Sequence, residues 1–227
     1  MTLTVYGDLE QGTDEWLQAR AGIVTASVVG QLITTKTLKP ASNETSRALT
    51  AHLVAERITG YVEPTYASAD MERGTLSEPF ARDIYAEHYA PVQEVGFMVR
   101  DFNGDRLGYS PDGLIGEDGL IEIKSPRQKT HLATILADQV PVHYMAQVQC
   151  GLLVSGREWC DYISYCGGMS LYVKRVHPDE AWQQAILDAL ATFEDNAETM
   201  TIAYQAATKG KPVAERIDLY LDSDIVI

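Results

Sequence analysis

In Ser110-Pro-Asp-Gly-Leu-Ile-Gly-Glu-Asp-Gly-Leu-Ile-Glu-Ile-Lys124, two short apolar runs flank a Gly-Glu-Asp-Gly turn. Such punctuation is typical of a β-hairpin, so we predict that residues 107–115 and 119–124 pair as antiparallel strands. Side chains two positions apart on a strand share a face, and Glu122 and Lys124 are therefore expected to project together. The fold prediction thus begins with a strand pair that carries a carboxylate and an ammonium on one face.

Asp112 is expected to lie where the first of these strands bends. It follows Pro111, which cannot donate a hydrogen bond to a strand ladder. A bend there would direct its carboxylate toward Glu122, and two converging carboxylates suit Mg²⁺, with Mn²⁺ as the alternative ion. Lys124 would then orient a water molecule for attack on a phosphate. The alternative, from these residues alone, is a solvated strand edge without a metal.

Three further motifs flank this stretch in the chain. They are Glu10-Gln-Gly-Thr-Asp-Glu-Trp-Leu-Gln-Ala-Arg-Ala-Gly-Ile-Val-Thr-Ala-Ser27, Gly74-Thr-Leu-Ser-Glu-Pro-Phe-Ala81 and Tyr144-Met-Ala-Gln-Val-Gln149. Together with Pro-Asp followed by Glu-x-Lys, they resemble in order, spacing and overall length the lambda exonuclease type of viral recombinase nuclease, within the restriction-endonuclease-like superfamily. The resemblance runs from about Glu10 to Tyr165 and implies a restriction-endonuclease-like core.

The resemblance also implies a catalytic set made of metal ligands, a lysine and a glutamine. In this set Lys124 would hold the nucleophilic water, Gln147 would approach the water or the scissile phosphate, and the metal ligands would be Asp112, Glu122, Glu78 and the main-chain carbonyl of Ile123. The residues alone add less. Glu78 precedes Pro79, which predicts a position near a helix start or an ordinary surface carboxylate there. Gln147 lies beside the apolar face of a predicted helix, where a glutamine without catalytic function is the alternative.

A second implied site is a pocket for the terminal 5′ phosphate of the degraded strand, formed by Arg20, Ser27 and Ser110. From the residues, a helix that opens near Thr25 would present free backbone N–H groups beside Arg20. The alternative is a capped helix with a solvated arginine. Trp16 is interpreted as a core or hinge aromatic residue.

The charge of the chain is unusual for a DNA-binding protein. Its 18 Lys and Arg against 32 Asp and Glu give a formal charge of −14, whereas DNA binding usually depends on a basic footprint. Ten acidic and three basic residues lie in 178–227, which accounts for half of the excess. Two locally basic segments, 124–131 and 36–39, could line a track for DNA, with ordinary solvated loops as the alternative, and one methionine in the loop predicted before Glu78 is a further candidate DNA contact. The candidate contacts are Arg127, Lys129, Lys36 and Lys39, with Met71 as a wedge between the end base pairs.

Length and composition favour one domain. The chain has 227 residues, of which 45% are hydrophobic, and we expect a core at about 10–177 followed by a helix and tail at 178–227. No long apolar run and no basic-then-apolar start is present, so a cytoplasmic protein is expected, made by a phage or prophage in a bacterial host. The three cysteines are an odd number without zinc-like spacing, which predicts reduced thiols and no zinc.

Periodicity predicts an α/β fold, with a central mixed sheet flanked by helices. Helices are expected at 46–58, through Phe80 and Tyr85, at 141–155 and from Pro178 onward. Besides the hairpin, strands are expected at 92–100, 159–166 and 171–176. The end of the chain, after 212, is expected to be a loose extension or a terminal strand.

The functional hypothesis is a Mg²⁺-dependent exonuclease that digests the 5′-ended strand of linear double-stranded DNA to mononucleotides and leaves a 3′ single-stranded tail for recombination. The resemblance further implies a ring of three identical subunits around the duplex and a partner protein that anneals single strands. Two alternatives stay open: a structure-specific or restriction-like endonuclease, which would cut closed circles, and a non-catalytic recombination scaffold.

Overall fold

The computed structural model describes residues 1–63 and 68–216, which form ten strands and seven α-helices. The strands are β1 (Thr2–Tyr6), β2 (Val24–Thr25), β3 (Ile33–Thr34), β4 (Lys39–Pro40), β5 (Phe97–Phe102), β6 (Asp105–Tyr109), β7 (Gly113–Ile115), β8 (Gly119–Lys124), β9 (Trp159–Ser164) and β10 (Tyr172–Val176). The helices are α1 (Asp14–Arg20), α2 (Ala26–Val29), α3 (Glu44–Thr59), α4 (Ala69–His88), α5 (Gln128–Ala137), α6 (Val142–Ser155) and α7 (Glu180–Thr208).

Two mixed four-stranded sheets form the centre of the fold. One has the order β1-β5-β6-β2 and the other β10-β9-β8-β7, while β3 and β4 make a separate pair. The β2–β6 and β8–β9 contacts are parallel and the remaining pairs are antiparallel. The predicted α/β class with mixed strand directions is confirmed, but the single central sheet of the prediction is divided into two.

The division falls at Pro111, where the predicted first strand breaks. β6 ends at Tyr109 in one sheet, and β7 begins at Gly113 in the other. The hairpin prediction is therefore confirmed for β7 and β8, which pair from Gly113 opposite Ile121 to Ile115 opposite Gly119. It is wrong for 107–109, which pair with β5. The chain crosses from sheet to sheet through a short segment that includes Asp112.

The long C-terminal helix completes the main core. The apolar residues of α7 that recur every three or four positions are buried against α3, α6 and the first sheet, as their spacing predicted. They are Trp182, Ile186, Leu190, Phe193 and Ala197. Residues 217–227, for which a loose tail or strand was expected, lie outside the described residues.

Helix α4 is tied to the second sheet by a buried carboxylate. Asp161 on β9 is 3% exposed, and its Oδ2 accepts a hydrogen bond of 2.7 Å from the Tyr85 hydroxyl. Arg175 on β10 donates from Nε and Nη2 to the two Asp161 oxygens at 2.8 and 2.9 Å. Because Glu78 lies about two turns before Tyr85, these contacts also fix the direction in which Glu78 points.

The predicted helix start near Glu78 is wrong. Helix α4 begins at Ala69, where the Ser68 hydroxyl accepts a hydrogen bond from the Met71 N–H, and Pro79 lies inside the helix. A proline within a helix removes one backbone donor and usually bends the helix, and this preference suggested the wrong boundary. Met71 consequently lies in the first turn of α4 and not in a loop.

Three other elements differ from the predictions. The strand expected at 92–100 begins only at Phe97 and ends at Phe102, so residues 92–96 lie before β5. The helix near Thr25 exists but is a single turn. The basic segment 124–131 leads into α5, whose His131 is buried between the Ser164 hydroxyl at 2.7 Å and the Ser170 carbonyl at 3.0 Å. Leu132, Ile135 and Leu136 recur at helical spacing, so the sequence carried a signal for this helix, although Leu132 and Leu136 are exposed in the structure.

The three cysteines, Cys150, Cys160 and Cys166, form no disulfide in the structure. Within residues 1–63 and 68–216, no helix combines the length and apolarity that a bilayer crossing requires.

We predict that Phe193→Ala destabilises the fold by about 3–5 kcal/mol, because it leaves a cavity where a 1% exposed ring packs in the main core. Urea unfolding, followed by fluorescence and circular dichroism, measures the change. Tyr204→Ala, a ring truncation at a 47% exposed position of the same helix, is the control and should cost less than about 0.5 kcal/mol. Equal effects would contradict the argument from burial of Phe193, and two separate transitions would contradict the single-domain interpretation.

Candidate active site

Glu122 is a buried carboxylate that three side chains from different elements contact. It lies on β8 with 1% exposure, and its Oε1 accepts hydrogen bonds from Lys124 Nζ at 2.7 Å and from Gln147 Nε2 at 2.5 Å. Its Oε2 accepts a hydrogen bond of 3.1 Å from the Tyr109 hydroxyl at the end of β6. The structure thus joins the predicted Glu122, Lys124 and Gln147 and adds Tyr109.

Asp112 lies beside β8 on the edge that β7 leaves open. Its Oδ2 accepts a hydrogen bond of 2.5 Å from the Ile123 N–H. On the other edge of β8, the Lys124 carbonyl accepts a hydrogen bond of 2.8 Å from the Tyr165 N–H. In a strand, the carbonyls of successive residues point to opposite edges. The Ile123 carbonyl therefore faces the Asp112 side. The predicted ligands Asp112 and Ile123 therefore share one edge of β8.

The charges of this cluster act strongly on one another. Burial raises the pKa of Asp112 well above its usual value, and the nearby Glu122 and Glu78 raise it further against the opposing effects of Lys124 and the Ile123 N–H. For Lys124, burial disfavours the charged form, but Glu122 and Asp112 outweigh it and raise the pKa above the ordinary lysine value. The site combines closely spaced carboxylates with a charged ammonium.

Glu78 approaches this cluster from α4 but is bonded to an arginine. Burial raises the pKa of Glu78, Arg82 opposes this, and Glu122 adds to it. Glu78 lines the same cleft as Asp112 and Glu122. Its Oε1 accepts a hydrogen bond from Arg82 Nη2 one turn later on the helix. Within residues 1–63 and 68–216, no group of three or more His, Cys, Asp or Glu is arranged to hold a metal ion. The predicted three-carboxylate ligand set is thus not assembled in this part of the chain, and Glu78 is bonded to Arg82 instead.

The residues predicted to bind a terminal phosphate also converge. Arg20 Nη2 lies 3.5 Å from Ser27 Oγ and 3.4 Å from Thr25 Oγ1, and its guanidinium lies 3.8 Å from the ring centre of Trp16. The Trp16 Nε1–H donates a hydrogen bond of 3.0 Å to Ser110 Oγ. Burial lowers the pKa of Arg20 to about 10, against the opposing effect of Glu56, and the guanidinium remains charged at neutral pH.

One cleft of about 750 Å³ contains both groups of residues. Among the candidate DNA contacts, Met71 and Arg127 line it, whereas Lys36, Lys39 and Lys129 do not. Arg127 donates from Nε and Nη2 to Asp70 Oδ1 at 3.1 and 2.9 Å. Lys39 belongs to the small β3–β4 pair, which packs against α7. The basic track proposed from the sequence is therefore not continuous with this cleft.

The residues of this cleft lie almost entirely within a recognised domain. The profile of the YqaJ-like viral recombinase domain matches residues 15–158. The chain belongs to this family. The predicted catalytic and phosphate-binding residues, from Arg20 to Gln147, fall inside the matched range.

Solved structures of relatives agree with the family. The YqaJ-like chain is 34% identical to LHK-Exo, an alkaline exonuclease from Laribacter hongkongensis, over 87% of this chain and 98% of that one, with a TM-score of 0.75. A structure of LHK-Exo in complex with dAMP matches to the same extent. A phage-related exonuclease from Haemophilus somnus 129PT is 11% identical, with a TM-score of 0.62 over 80% of this chain and 96% of that one, and shows the shared fold alone. No curated protein sequence matches the chain.

These relatives confirm two predictions, the resemblance to viral recombinase nucleases of the lambda exonuclease type and the restriction-endonuclease-like fold.

Three residues that contact the site were missed from the sequence or assigned another role. Tyr109 directly precedes the Ser110-Pro-Asp motif and ends a strand, a position from which a side chain can enter the site. Arg82 lies four residues after Glu78, the usual spacing of an ion pair on a helix. Trp16, interpreted as a core or hinge residue, is half-buried and connects Arg20 with Ser110.

We predict that Lys124→Met costs about 3 kcal/mol in a chelator-containing buffer, because it leaves the buried Glu122 without its cation. Adding Glu122→Gln to this variant should recover part of the loss, since an amide needs no counter-ion. Urea unfolding measures both changes. The control is Lys174→Met, which removes a cation from the 71% exposed Asp138 and should cost much less than Lys124→Met, because solvent screens that pair. No recovery in the double variant would contradict the charge argument.

Proposed function

We propose that this protein is a metal-dependent exonuclease that degrades the 5′-ended strand of linear double-stranded DNA to mononucleotides and leaves a 3′ single-stranded overhang. A nuclease role, and more narrowly an exonuclease role, is supported by the family and by the 34% identical alkaline exonuclease. The observation that carries the finer proposal is the joining, in one cleft, of the Asp112–Glu122–Lys124 cluster and the Arg20–Ser27–Ser110 group.

The donor set of the cluster fits Mg²⁺, with Mn²⁺ as the alternative. Asp112, Glu122 and the Ile123 carbonyl supply only oxygen atoms, and Mg²⁺ is usually held by one or two carboxylates with water and phosphate in its other positions. Burial raises the pKa of Asp112 and the charges of Glu122 and Glu78 raise it further, and a bound cation would oppose this rise by favouring the charged form. When bound, the ion would lower the pKa of the attacking water and stabilise charge on the phosphate.

Lys124 and Gln147 would position the reacting groups. The Lys124 ammonium has donors but no acceptor, so it can hold a water oxygen or a phosphate oxygen but cannot take a proton while charged. Gln147 now donates to Glu122 and can also accept through its own carbonyl oxygen. Tyr109, bonded to the other Glu122 oxygen, would keep that carboxylate in place.

In the proposed reaction, water attacks the phosphorus and the bond from phosphorus to the 3′ oxygen of the terminal nucleotide breaks. The 3′ oxygen leaves as a hydroxyl after gaining a proton through solvent. The phosphate stays on the next nucleotide as a new 5′ end. Each cycle therefore regenerates a terminal phosphate, which is the group that an arginine and two serines suit.

The spacing of the two groups supports removal of one nucleotide at a time. Ser110 contacts Trp16 beside Arg20, and Asp112 lies two residues later in the same connection. Two residues of chain span at most about 7 Å, which is the scale of one nucleotide step. A 5′ phosphate near Ser110 would thus place the next phosphate near Asp112. The dAMP in the LHK-Exo complex, itself a deoxynucleoside monophosphate, agrees with a mononucleotide product.

The assembly and its biological setting form part of the same proposal. A homotrimeric ring around the duplex would retain DNA by enclosure, which suits a chain with a formal charge of −14. A single-strand annealing protein would use the 3′ overhang in recombination. The viral recombinase domain is consistent with a phage or prophage origin.

We predict that Asp112→Asn lowers the rate of digestion of end-labelled linear duplex by more than about 100-fold, because it removes a proposed metal ligand. Folding and binding of DNA ends should be largely retained. Digestion by the parent chain should stop on addition of a chelator and resume with Mg²⁺. Asp138→Asn, the same chemical change at an exposed helix end, is the control and should leave the rate unchanged.

A covalently closed circle distinguishes the proposal from its nearest alternative. The exonuclease should leave the circle intact and digest it after linearisation. Cutting of the circle would favour an endonuclease, and full activity of Asp112→Asn would remove the proposed metal site.

We predict that Arg20→Ala slows digestion of 5′-phosphorylated ends by at least about tenfold, because a charge-assisted hydrogen bond to the phosphate is lost. Digestion of ends with a 5′ hydroxyl should change much less. Arg106→Ala removes an arginine from an exposed position of β6 outside the cleft and is the control. If the parent digests both kinds of end equally fast, the terminal phosphate pocket is contradicted.

A further inference from the structure

Arg82 makes contacts in three directions at the edge of the carboxylate cluster. Its Nε donates a hydrogen bond of 2.9 Å to the main-chain carbonyl of Asp112, and its Nη2 donates to Glu78 Oε1. Its Nη1 lies 2.9 Å from Glu94 Oε2. The Arg82 side chain is 15% exposed, whereas that of Glu94 is 74% exposed and is mostly solvated, so the Arg82–Glu94 contact is weak. Arg82 therefore interacts chiefly with two residues of the proposed metal site.

These contacts give Arg82 a role that a bound metal ion would also fill. The cluster contains Asp112, Glu122 and Glu78, and after burial the negative charge of Glu122 raises the pKa of Glu78, while those of Glu122 and Glu78 raise the pKa of Asp112. A guanidinium beside these carboxylates reduces their repulsion in the metal-free protein. The same guanidinium occupies Oε1 of Glu78, one of the two oxygens through which Glu78 could bind a cation.

We propose that Arg82 is an internal counter-ion that competes with the divalent metal for Glu78. In the metal-free chain the Arg82–Glu78 pair compensates the acidic cluster. When the metal binds, Glu78 leaves Arg82 and joins Asp112 and Glu122, while the contact between Arg82 and the Asp112 carbonyl keeps the connection after β6 in place. This inference rests on the proposed metal-dependent function and assigns Arg82 as a positioning residue.

The two kinds of contact make opposite predictions for metal affinity. If Arg82 only supports the backbone of Asp112, its removal should weaken metal binding. If Arg82 competes for Glu78 and its positive charge repels the divalent metal ion, its removal should strengthen metal binding. The sign of the change in Kd therefore separates a counter-ion from an ordinary structural arginine.

The test measures the Kd of Mn²⁺, by electron paramagnetic resonance of the free ion, for the full chain freed of metal. Arg82→Gln should lower the Kd by at least about fivefold, the lower end of typical coupling between two binding events. Arg82→Lys, which keeps the charge but not the three-way geometry, should lower it less. If Arg82→Gln does not fold, Arg82→Lys decides the sign.

Glu78→Gln provides the internal check, because it removes the group for which the two cations compete. In that background Arg82→Gln should no longer tighten Mn²⁺ binding. Arg73→Gln is the matched control. It makes the same change on the same helix, in a residue that lines the cleft and bonds to Asp70 and the Ser125 carbonyl, and it should change the Kd by less than about twofold.

Thermal unfolding supplies a second measurement, in which the size of the rise in Tm on addition of Mn²⁺ separates a counter-ion from a purely structural arginine. Arg82→Gln should lower the Tm of the metal-free protein, and Mn²⁺ should raise its Tm by more than it raises that of the parent, since tighter binding stabilises more. A Kd that is unchanged or higher in Arg82→Gln, with normal binding by the parent, would overturn the inference alone. Failure of the parent to bind Mn²⁺ would overturn the metal-dependent function as well.

Discussion

The site depends on placing Glu122 out of water with its charge compensated. A carboxylate that is 1% exposed is costly unless donors surround it, and here the donors come from both sheets and a helix: Tyr109 from β6, Lys124 from β8 and Gln147 from α6. Each of these three donors must be correctly placed for the hydrogen bonds of the Glu122 carboxylate to form. The charge requirement therefore couples the packing of the two sheets and α6 to the geometry of the cleft.

The break at Pro111 is the second constraint, and it explains what the sequence could reveal. The hairpin turn, the pairing of Glu122 with Lys124 and the bend at Asp112 all follow from local rules of strands and proline, and they were predicted correctly. The division of the sheet could not be read locally, because it depends on which partner each half of 107–115 finds. Strand pairing at long range is fixed by packing and not by the residues of one segment.

The helices show the same limit. The buried stripe of α7 identified that helix because its period is carried by apolar residues. Helix α4 was placed too late in the chain because Pro79 is an unusual helix interior residue, and its true start depends on the Ser68 cap. The conjunction of Arg20, Ser27 and Ser110 was implied by the resemblance, but the role of Trp16 between them is visible only in three dimensions.

The central claim is that Asp112 and Glu122 share a divalent cation, with Arg82 as the cation that stands beside them in its absence. A crystal structure of the chain grown with Mn²⁺ and measured at a wavelength where manganese scatters anomalously tests it most directly. The account predicts an anomalous peak within ligand distance, about 2.0–2.2 Å, of carboxylate oxygens of both residues. A fully occupied peak elsewhere, or none at saturating Mn²⁺ with both carboxylates still bonded as described, would contradict it.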